Sequence, residues 1–382
     1  MRLTSPPFRL GTTYYTSIPH IRTFRHKVRM AQHLPHLPDW EQVSTNIIRI
    51  LGGNPSKFTL QGTNTYLLGR GASRLLIDTG QGEKRWLDTL SSVLHKQNAT
   101  VQKCLLTHWH HDHVGGVKDL RSLPSSSEAE IYKNTPTLNP DNLLDPSKVH
   151  DITNGQRFST STPDGTFEVE AVHTPGHAKD HMCFLVTSSP DPNEIGALFT
   201  ADNVLGHGTA VFEDLGQYLD SLNLMKRRVL ELSSSSAETE KKKAYPGHGA
   251  VIEDATGKID EYIAHRRMRE DEALNVLRYG SVKKSGSGDE VVHDSITTVG
   301  ESDGEDATTT TTTTTANLGK EVVVGKEWES MEMVKVIYRH YPESLFKPAE
   351  YGLLMVLEKL RRDGKVVKTD AGKWRVSEKA TL

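Results

Sequence analysis

Apolar residues follow two rhythms along this chain. Between residues 47 and 106 they come in short runs: Ile47, Ile48, Ile50 and Leu51, then Thr65-Tyr66-Leu67-Leu68, then Leu75-Leu76-Ile77, then Val101, Cys104, Leu105 and Leu106. Gly52-Gly53-Asn54-Pro55 and Gly69-Arg70-Gly71 separate the first three. Short apolar runs bounded by such residues predict buried strands joined by turns. Residues Trp86 to Leu94 carry a helical pattern and are expected to pack on that sheet. Phe158, Phe167, Val169 and Val172, followed by Met182 to Val186, predict strands of a second sheet, and Leu198 to Ala201 another short strand. Leu219, Leu222, Met225, Val229 and Leu232 recur at helical spacing and predict a helix over 215–232. A second amphipathic helix is predicted over Ile259 to Leu277. The charged run Glu238 to Lys243 between them reads as a solvated loop.

The pattern stops at about residue 281. Gly, Ser and acidic residues then dominate, and Thr308 to Thr315 is an unbroken threonine tract. A segment this polar cannot offset its ordering entropy by burial, so 281–325 is expected to be a disordered linker. Order resumes near Trp328. Met333, Val334, Val336 and Ile337 predict one helix, and Tyr351 to Leu360 a second. Asp363-Gly364-Lys365-Val366-Val367, a turn at Ala371-Gly372 and Trp374-Arg375-Val376 then predict a hairpin. Helix, helix, hairpin resembles a small winged-helix domain over 326–382. The chain therefore divides into an N-terminal extension (1–38), a core domain (39–280), the linker and this end domain.

A chain of 382 residues suffices for two domains and a large core. Its net charge of −3 gives no global pull toward nucleic acid, although a local basic patch would suffice for RNA. Arg361, Arg362, Lys365, Lys368, Lys373 and Arg375 supply such a patch on the predicted hairpin, so that module is read either as an RNA contact or as a cap beside the active-site mouth. Cys104 and Cys183 both sit in apolar runs and are expected to be buried thiols in a reducing compartment. No stretch reaches the roughly 18 apolar residues of a membrane helix, so no membrane association is expected. Residues 1–38 hold no Asp or Glu but carry Arg2, Arg9, Arg22, Arg25, Lys27 and Arg29. That composition suits a transit peptide and a mitochondrial matrix location; the alternative is a cytoplasmic protein with an untidy extension.

The chemistry concentrates in Thr107-His108-Trp109-His110-His111-Asp112-His113. His108, His110, Asp112 and His113 are candidate metal ligands of the type zinc prefers. His108 and His110 lie two apart, so on an extended segment they point the same way. Asp112 and His113 follow the turn and can face a second metal. One zinc takes about four ligands at ~2 Å, so this loop cannot complete two sites alone. His177, Asp202 and His248 each stand at the exit of a short strand or turn and are the candidates to complete them.

These residues together resemble the metallo-beta-lactamase superfamily over about residues 45 to 275. The resemblance implies an α/β protein with the four-layer αββα fold and two metals, zinc by preference with manganese or iron as substitutes. It implies that His108, His110 and His177 hold the first metal, that Asp112, His113 and His248 hold the second, and that Asp202 bridges them. Leu76-Ile77-Asp78-Thr79-Gly80 is similar to the family's first motif, in which the aspartate supports the ligands from behind. Ala201 stands where that pattern has glycine; an alanine fits there if the backbone has ordinary dihedrals.

Phe58 to Tyr66, Asp180-His181-Met182, Val211 to Leu215 and His265-Arg266 resemble the lactamase-beta-like endoribonuclease group. Asp202 to Gly208 and Val172 to His177 look closer to fungal polyketide thioesterases of the same superfamily. Two readings follow for a binuclear-metal-dependent hydrolase. One is an endoribonuclease in which a metal-activated water attacks a phosphodiester of single-stranded RNA; the other hydrolyses an acyl or polyketide thioester on an acyl carrier protein in secondary metabolism. In either, Asp112 orients the water, and His181 or His207 is the candidate proton donor to the leaving group.

Overall fold

The computed structural model describes residues 34–233, 241–282 and 326–378. The transit-peptide reading falls almost wholly outside these residues, as do nearly all of the linker and the whole threonine tract. The described residues from Leu37 onward form one compact unit.

Strands β1 (Trp40–Ser44), β2 (Ile47–Leu51), β3 (Asn64–Leu68), β4 (Ser73–Ile77), β5 (Thr100–Leu106), β6 (Glu130–Lys133) and β7 (Val149–Asp151) form a seven-stranded sheet in that order. It is antiparallel from β1 to β4 and parallel from β4 to β7. Strands β8 (Arg157–Thr162), β9 (Gly165–His173), β10 (Met182–Ser188), β11 (Leu198–Ala201) and β12 (Ala244–Pro246) form a five-stranded sheet in the order β12-β11-β10-β9-β8.

Both sheets are covered on both faces, which explains the continuous apolar runs. Side chains alternate between two cores along each strand. In the first sheet Ile48, Leu67, Leu76, Cys104 and Leu106 pack outward against Trp86, Leu90 and Val93 of helix α1 (Lys84–Lys96). Ile47, Leu68, Leu75, Ile77 and Leu105 point the other way, onto Phe167, Val169, Phe184, Val186 and Phe199 of the second sheet. The far face of that sheet, with Val172, Cys183, Leu185 and Leu198, meets helices α4 (Leu215–Ser233) and α5 (Ala255–Tyr279). Between β5 and β6 lie two short helices, α2 (His111–Val114) and α3 (Val117–Ser122). Helix, sheet, sheet, helix is the expected four-layer order.

The end domain comprises α6 (Ser330–Ile337), α7 (Phe346–Arg362) and a hairpin of β13 (Val366–Lys368) with β14 (Trp374–Val376). Its apolar side chains, Trp328 and Trp374 included, join the core under α4 and α5. Both cysteines are buried and free. No helix among the described residues is long and apolar enough to cross a membrane. The charged run departs from its reading as a solvated loop. Residues 238–240 lie outside the described residues, Lys241 and Lys243 pair with Asp254 and Glu253, and Lys242 is buried where it leads into β12.

Candidate metal centre

Every ligand candidate leaves a strand at the same rim, where the two sheets meet. His108 and His110 follow β5, and Asp112 and His113 occupy α2. His177 follows β9, Asp202 follows β11 and His248 follows β12. Backbone bonds lace the rim across the sheets: Met182 N–H donates to Thr107 O (2.8 Å), and Asn64 N–H to Gly247 O (2.7 Å). Gly116 is required by space: a Cβ there would lie 2.2 Å from Thr79 O, so the short helices could not close on the loop after β4.

The donor atoms gather in two groups, His108, His110, His177 and Asp202 in one and Asp112, His113 and His248 in the other. His177 Nε2 lies 3.3 Å from His108 Nε2 and 3.1 Å from His110 Nδ1, and 3.7 Å from Asp202 Oδ2. His248 Nε2 is 3.2 Å from Asp112 Oδ2, and His113 Nε2 is 3.4 Å from the same oxygen. Asp202 reaches this second group too, with Oδ1 3.4 Å from His113 Nε2 and Oδ2 3.3 Å from His248 Nε2. Four ligands placed about 2 Å from a central ion stand about 3.3 Å apart, which is the spacing of these lone pairs. His113 Nε2 and Asp202 Oδ1 are buried without a hydrogen-bond partner, as orphaned donors awaiting a cation would be. The donor set therefore fits metal binding, and the Asp202 carboxylate faces both groups of donors.

The ring nitrogens that His108, His113 and His177 turn away from the centre have partners, whereas His248 Nδ1 is buried without one. His177 Nδ1 donates to Val211 O (2.8 Å). His113 Nδ1 lies 2.7 Å from Asp78 Oδ2, and that carboxylate also accepts from Thr107 N–H and Oγ1–H. Thr107 Oγ1 in turn contacts His108 Nδ1 (3.0 Å). Asp78 thus supports two ligands from behind, in the position its motif implies. Thr63 Oγ1 donates to Asp112 Oδ2 (3.3 Å).

Burial holds His108 well below the usual imidazole range, with neighbouring rings adding to the effect, and brings His110 down to about 4. Both are neutral at pH 7, the form that binds metal. The second group behaves oppositely. Burial lowers His248, but Asp202 and Asp112 outweigh it and lift the ring to about 9. His113 is likewise raised against burial by Asp112, Asp202 and Asp78. Burial raises Asp112 and Asp202, yet the facing histidines hold both below the ordinary carboxylate range.

Two expectations change. Ala201 does not have ordinary dihedrals: its φ is 44°, a left-handed conformation that costs a non-glycine residue about 1–2 kcal/mol. His181 is fully buried, its Nε2 accepting from Asp202 N–H (3.3 Å) and its Nδ1 facing Thr174 Oγ1 (2.9 Å). Both nitrogens are engaged, so His181 orients Asp202 rather than donating a proton. His207 is exposed on the loop whose Gly206 N–H donates to His248 O (2.9 Å).

Comparison with known proteins follows the same division of the chain. The family described as "Metallo-beta-lactamase superfamily" matches residues 58–248, and "Beta-lactamase associated winged helix domain" matches 330–374. A lactamase-like protein (nscB) of Arthroderma benhamiae is 48% identical over 69% of this chain, and the match spans 53% of that relative's own length. Its namesake in Trichophyton rubrum is 47% identical over 69% of this chain and 73% of the relative. A lactamase-like protein (adaB) of Aspergillus niger is 42% identical over 71% and 77%. Among solved structures, a beta-lactamase domain protein from Burkholderia ambifaria superposes with a TM-score of 0.60 at 15% identity, covering 91% of this chain and 96% of its own. A metallo-beta-lactamase family protein from Thermus thermophilus gives 0.54 at 17% identity, covering 88% and 100%. These two establish likeness of fold.

Proposed function

The chain belongs to the metallo-beta-lactamase superfamily, and from that premise we propose that it is a metal-dependent hydrolase of acyl thioesters, with two zinc ions as cofactor and a carrier-bound acyl or polyketide chain as substrate. Metal held by His108, His110, Asp112, His113, His177, Asp202 and His248 would supply a water acidified toward neutral pH and a Lewis acid for the carbonyl. The chain's own groups do the rest. Asp112 Oδ2 is engaged by Thr63 and the facing histidines, which leaves Oδ1 to accept a proton from the water. Water oxygen adds to the thioester carbon, the C–S bond breaks, and the acid and a thiolate leave.

The observation that carries the thioester reading is the state of His181. With both its nitrogens engaged, His181 is not placed to protonate a leaving group. A thiolate, from a thiol of pKa about 8.5, departs near neutral pH unaided; an alkoxide from a phosphodiester does not. Two further features agree. Phe58 and Val211 are 69% and 66% exposed. The Val211 carbonyl fixes His177, and Phe58 lies in the loop that leads to Thr63, so an exposed apolar side chain stands in each of two segments that contact the ligands.

The RNA reading, which rests on the similarity to the endoribonuclease group and on the basic end module, ranks second. Arg361 pairs with Glu358, Arg362 with Asp214, Lys365 with Asp363, Lys373 with Glu329 and Arg375 with Glu378. A patch offset by its own carboxylates offers phosphates less than its composition implies.

The decisive experiment offers zinc-loaded protein an N-acetylcysteamine thioester series and fluorescent single-stranded RNA in parallel, with Asp112→Ala and His113→Ala as controls. Thioester turnover is expected, lost in both variants, with RNA left intact. RNA cleavage that both variants abolish, without thioester turnover, would reverse the ranking.

A further inference from the structure

Lys133 and Asp180 form an ion pair that none of the chemistry above uses. Their ammonium and carboxylate lie 2.6 Å apart, and both side chains are completely buried. Lys133 Nζ also donates to Asn134 O (3.0 Å) and Thr135 O (3.2 Å). Burial pushes the lysine down and the aspartate up from their usual ranges, each against the pull of its partner. Such a pair is a poor investment in stability, since well-packed apolar residues of similar volume are often as good or better. Its location supplies another reason for it.

Lys133 ends β6 and stands in register with Leu106 of β5, two residues before His108. Asp180 lies in the turn 174–181 that links β9 to β10 in the other sheet. That turn carries His177, and it is closed on itself by Thr174 N–H to His181 O (2.9 Å) and Gly176 N–H to Ala178 O (3.3 Å). It also carries His181, which takes the N–H of Asp202. The ion pair therefore fastens the segment holding His177 and orienting Asp202 onto the end of β6, in register with the strand end that delivers His108. His108 and His177 Nε2 must meet at 3.3 Å although they come from different sheets.

We infer that Lys133, acting through Asp180, is a positioning residue for the half of the centre formed by His108, His110, His177 and Asp202. The pair is a cross-sheet fastening that sets the ligand spacing of the first metal and leaves the second to Asp112, His113 and His248. This inference rests on the two-metal reading, and its test separates the two.

The full chain, stripped of metal, is titrated with zinc by calorimetry and with cobalt(II) by visible absorption. Wild-type protein that binds fewer than two ions defeats the two-metal reading itself. The variant Lys133→Met/Asp180→Leu removes both charges together, so no buried charge is stranded. Its metal-free melting temperature is expected to match wild type. One of its two zinc ions is expected to bind about 10- to 100-fold more weakly, as when a ligand's supporting group is lost, with the cobalt band of one site altered and the other kept. Asp180→Asn, which keeps the shape of the side chain, is expected to show the same selective loss at the lower end of that range. Two ions bound with wild-type affinity in both variants overturn the inference. So does a double variant that fails to fold without metal, because the pair would then serve the fold and not the site.

Discussion

Asp202 faces both groups of candidate ligands, and its carboxylate also governs their protons. With no metal present, Asp202 and Asp112 keep His113 and His248 charged, His248 up to about 9. A protonated imidazole cannot ligate, so zinc entering at pH 7 must expel those protons. Zinc added to metal-free protein in weak buffer at pH 7 is therefore expected to release about one to two protons per chain from this pair. Affinity should climb with pH and level off above about 9, where His248 is already neutral. Stability follows the same shift with the opposite sense. The raised His248 stabilises the metal-free fold fully below its ordinary 6.5, and that contribution fades as pH rises through about 9. Metal-free protein should lose melting temperature across that window while zinc-loaded protein does not. An indicator dye that registers no proton release would refute the assignment of these charges.

The elements that deliver ligands were the most legible ones, for a physical reason. β10 and β11, and the last three residues of β5, are buried on both faces, so their apolar runs are unbroken there, and the polar residue next to each run announces itself. β6 and β7 were not legible. Glu130–Lys133 contributes one fully buried apolar residue, Ile131, and Val149–Asp151 contributes none. Lys133 was thus invisible as a partner for Asp180. The engaged nitrogens of His181 and the left-handed Ala201 were also beyond reach, because each is set by segments distant in sequence. One such meeting makes a sharp prediction. The turn after β12 packs against the end of β11, strapped by Asn64 Nδ2 to Pro246 O and Gly249 O, both 2.9 Å. A Cβ on Gly247 would lie 2.3 Å from Asp202 Oδ1 and 3.1 Å from His113 Cε1. Gly247→Ala should therefore displace the bridging carboxylate. Activity is expected to fall about 100-fold, as for a misplacement of about 1 Å. Zinc content should drop below two per chain while the far-ultraviolet dichroism is unchanged. Wild-type zinc content in this variant would count against the bridging position of Asp202.

At the scale of the whole molecule, the end domain is read as a cap that shares a core with the catalytic layers. Trp328, Met333, Leu357, Leu360 and Trp374 lie in one apolar cluster with Leu222, Ile259, Ile263 and Leu277. Lys359 closes the seam with a 2.7 Å bond to Glu270, which is 7% exposed, and Arg269 lies 5.5 Å from the centre of the Tyr338 ring. Arg362 reaches Asp214, whose N–H, like that of Glu213, donates to Gly176 O beside His177. Packing under α5 is thus continuous with the loop that fixes a ligand. Each large apolar side chain returned to water costs about 1.5–3 kcal/mol, and the total is comparable to the whole stability of a domain. A chain ending at residue 282 should therefore be poorly soluble or melt at markedly lower temperature, and lose with it the thioester turnover proposed above. Were the module an RNA-binding appendage only, the same truncation would leave a monodisperse protein with unchanged melting temperature and unchanged thioester hydrolysis. Size-exclusion chromatography and a thermal melt distinguish the two outcomes. Lys368→Gln/Lys373→Gln, which weakens the basic hairpin and keeps the packing, should leave both solubility and turnover as they are.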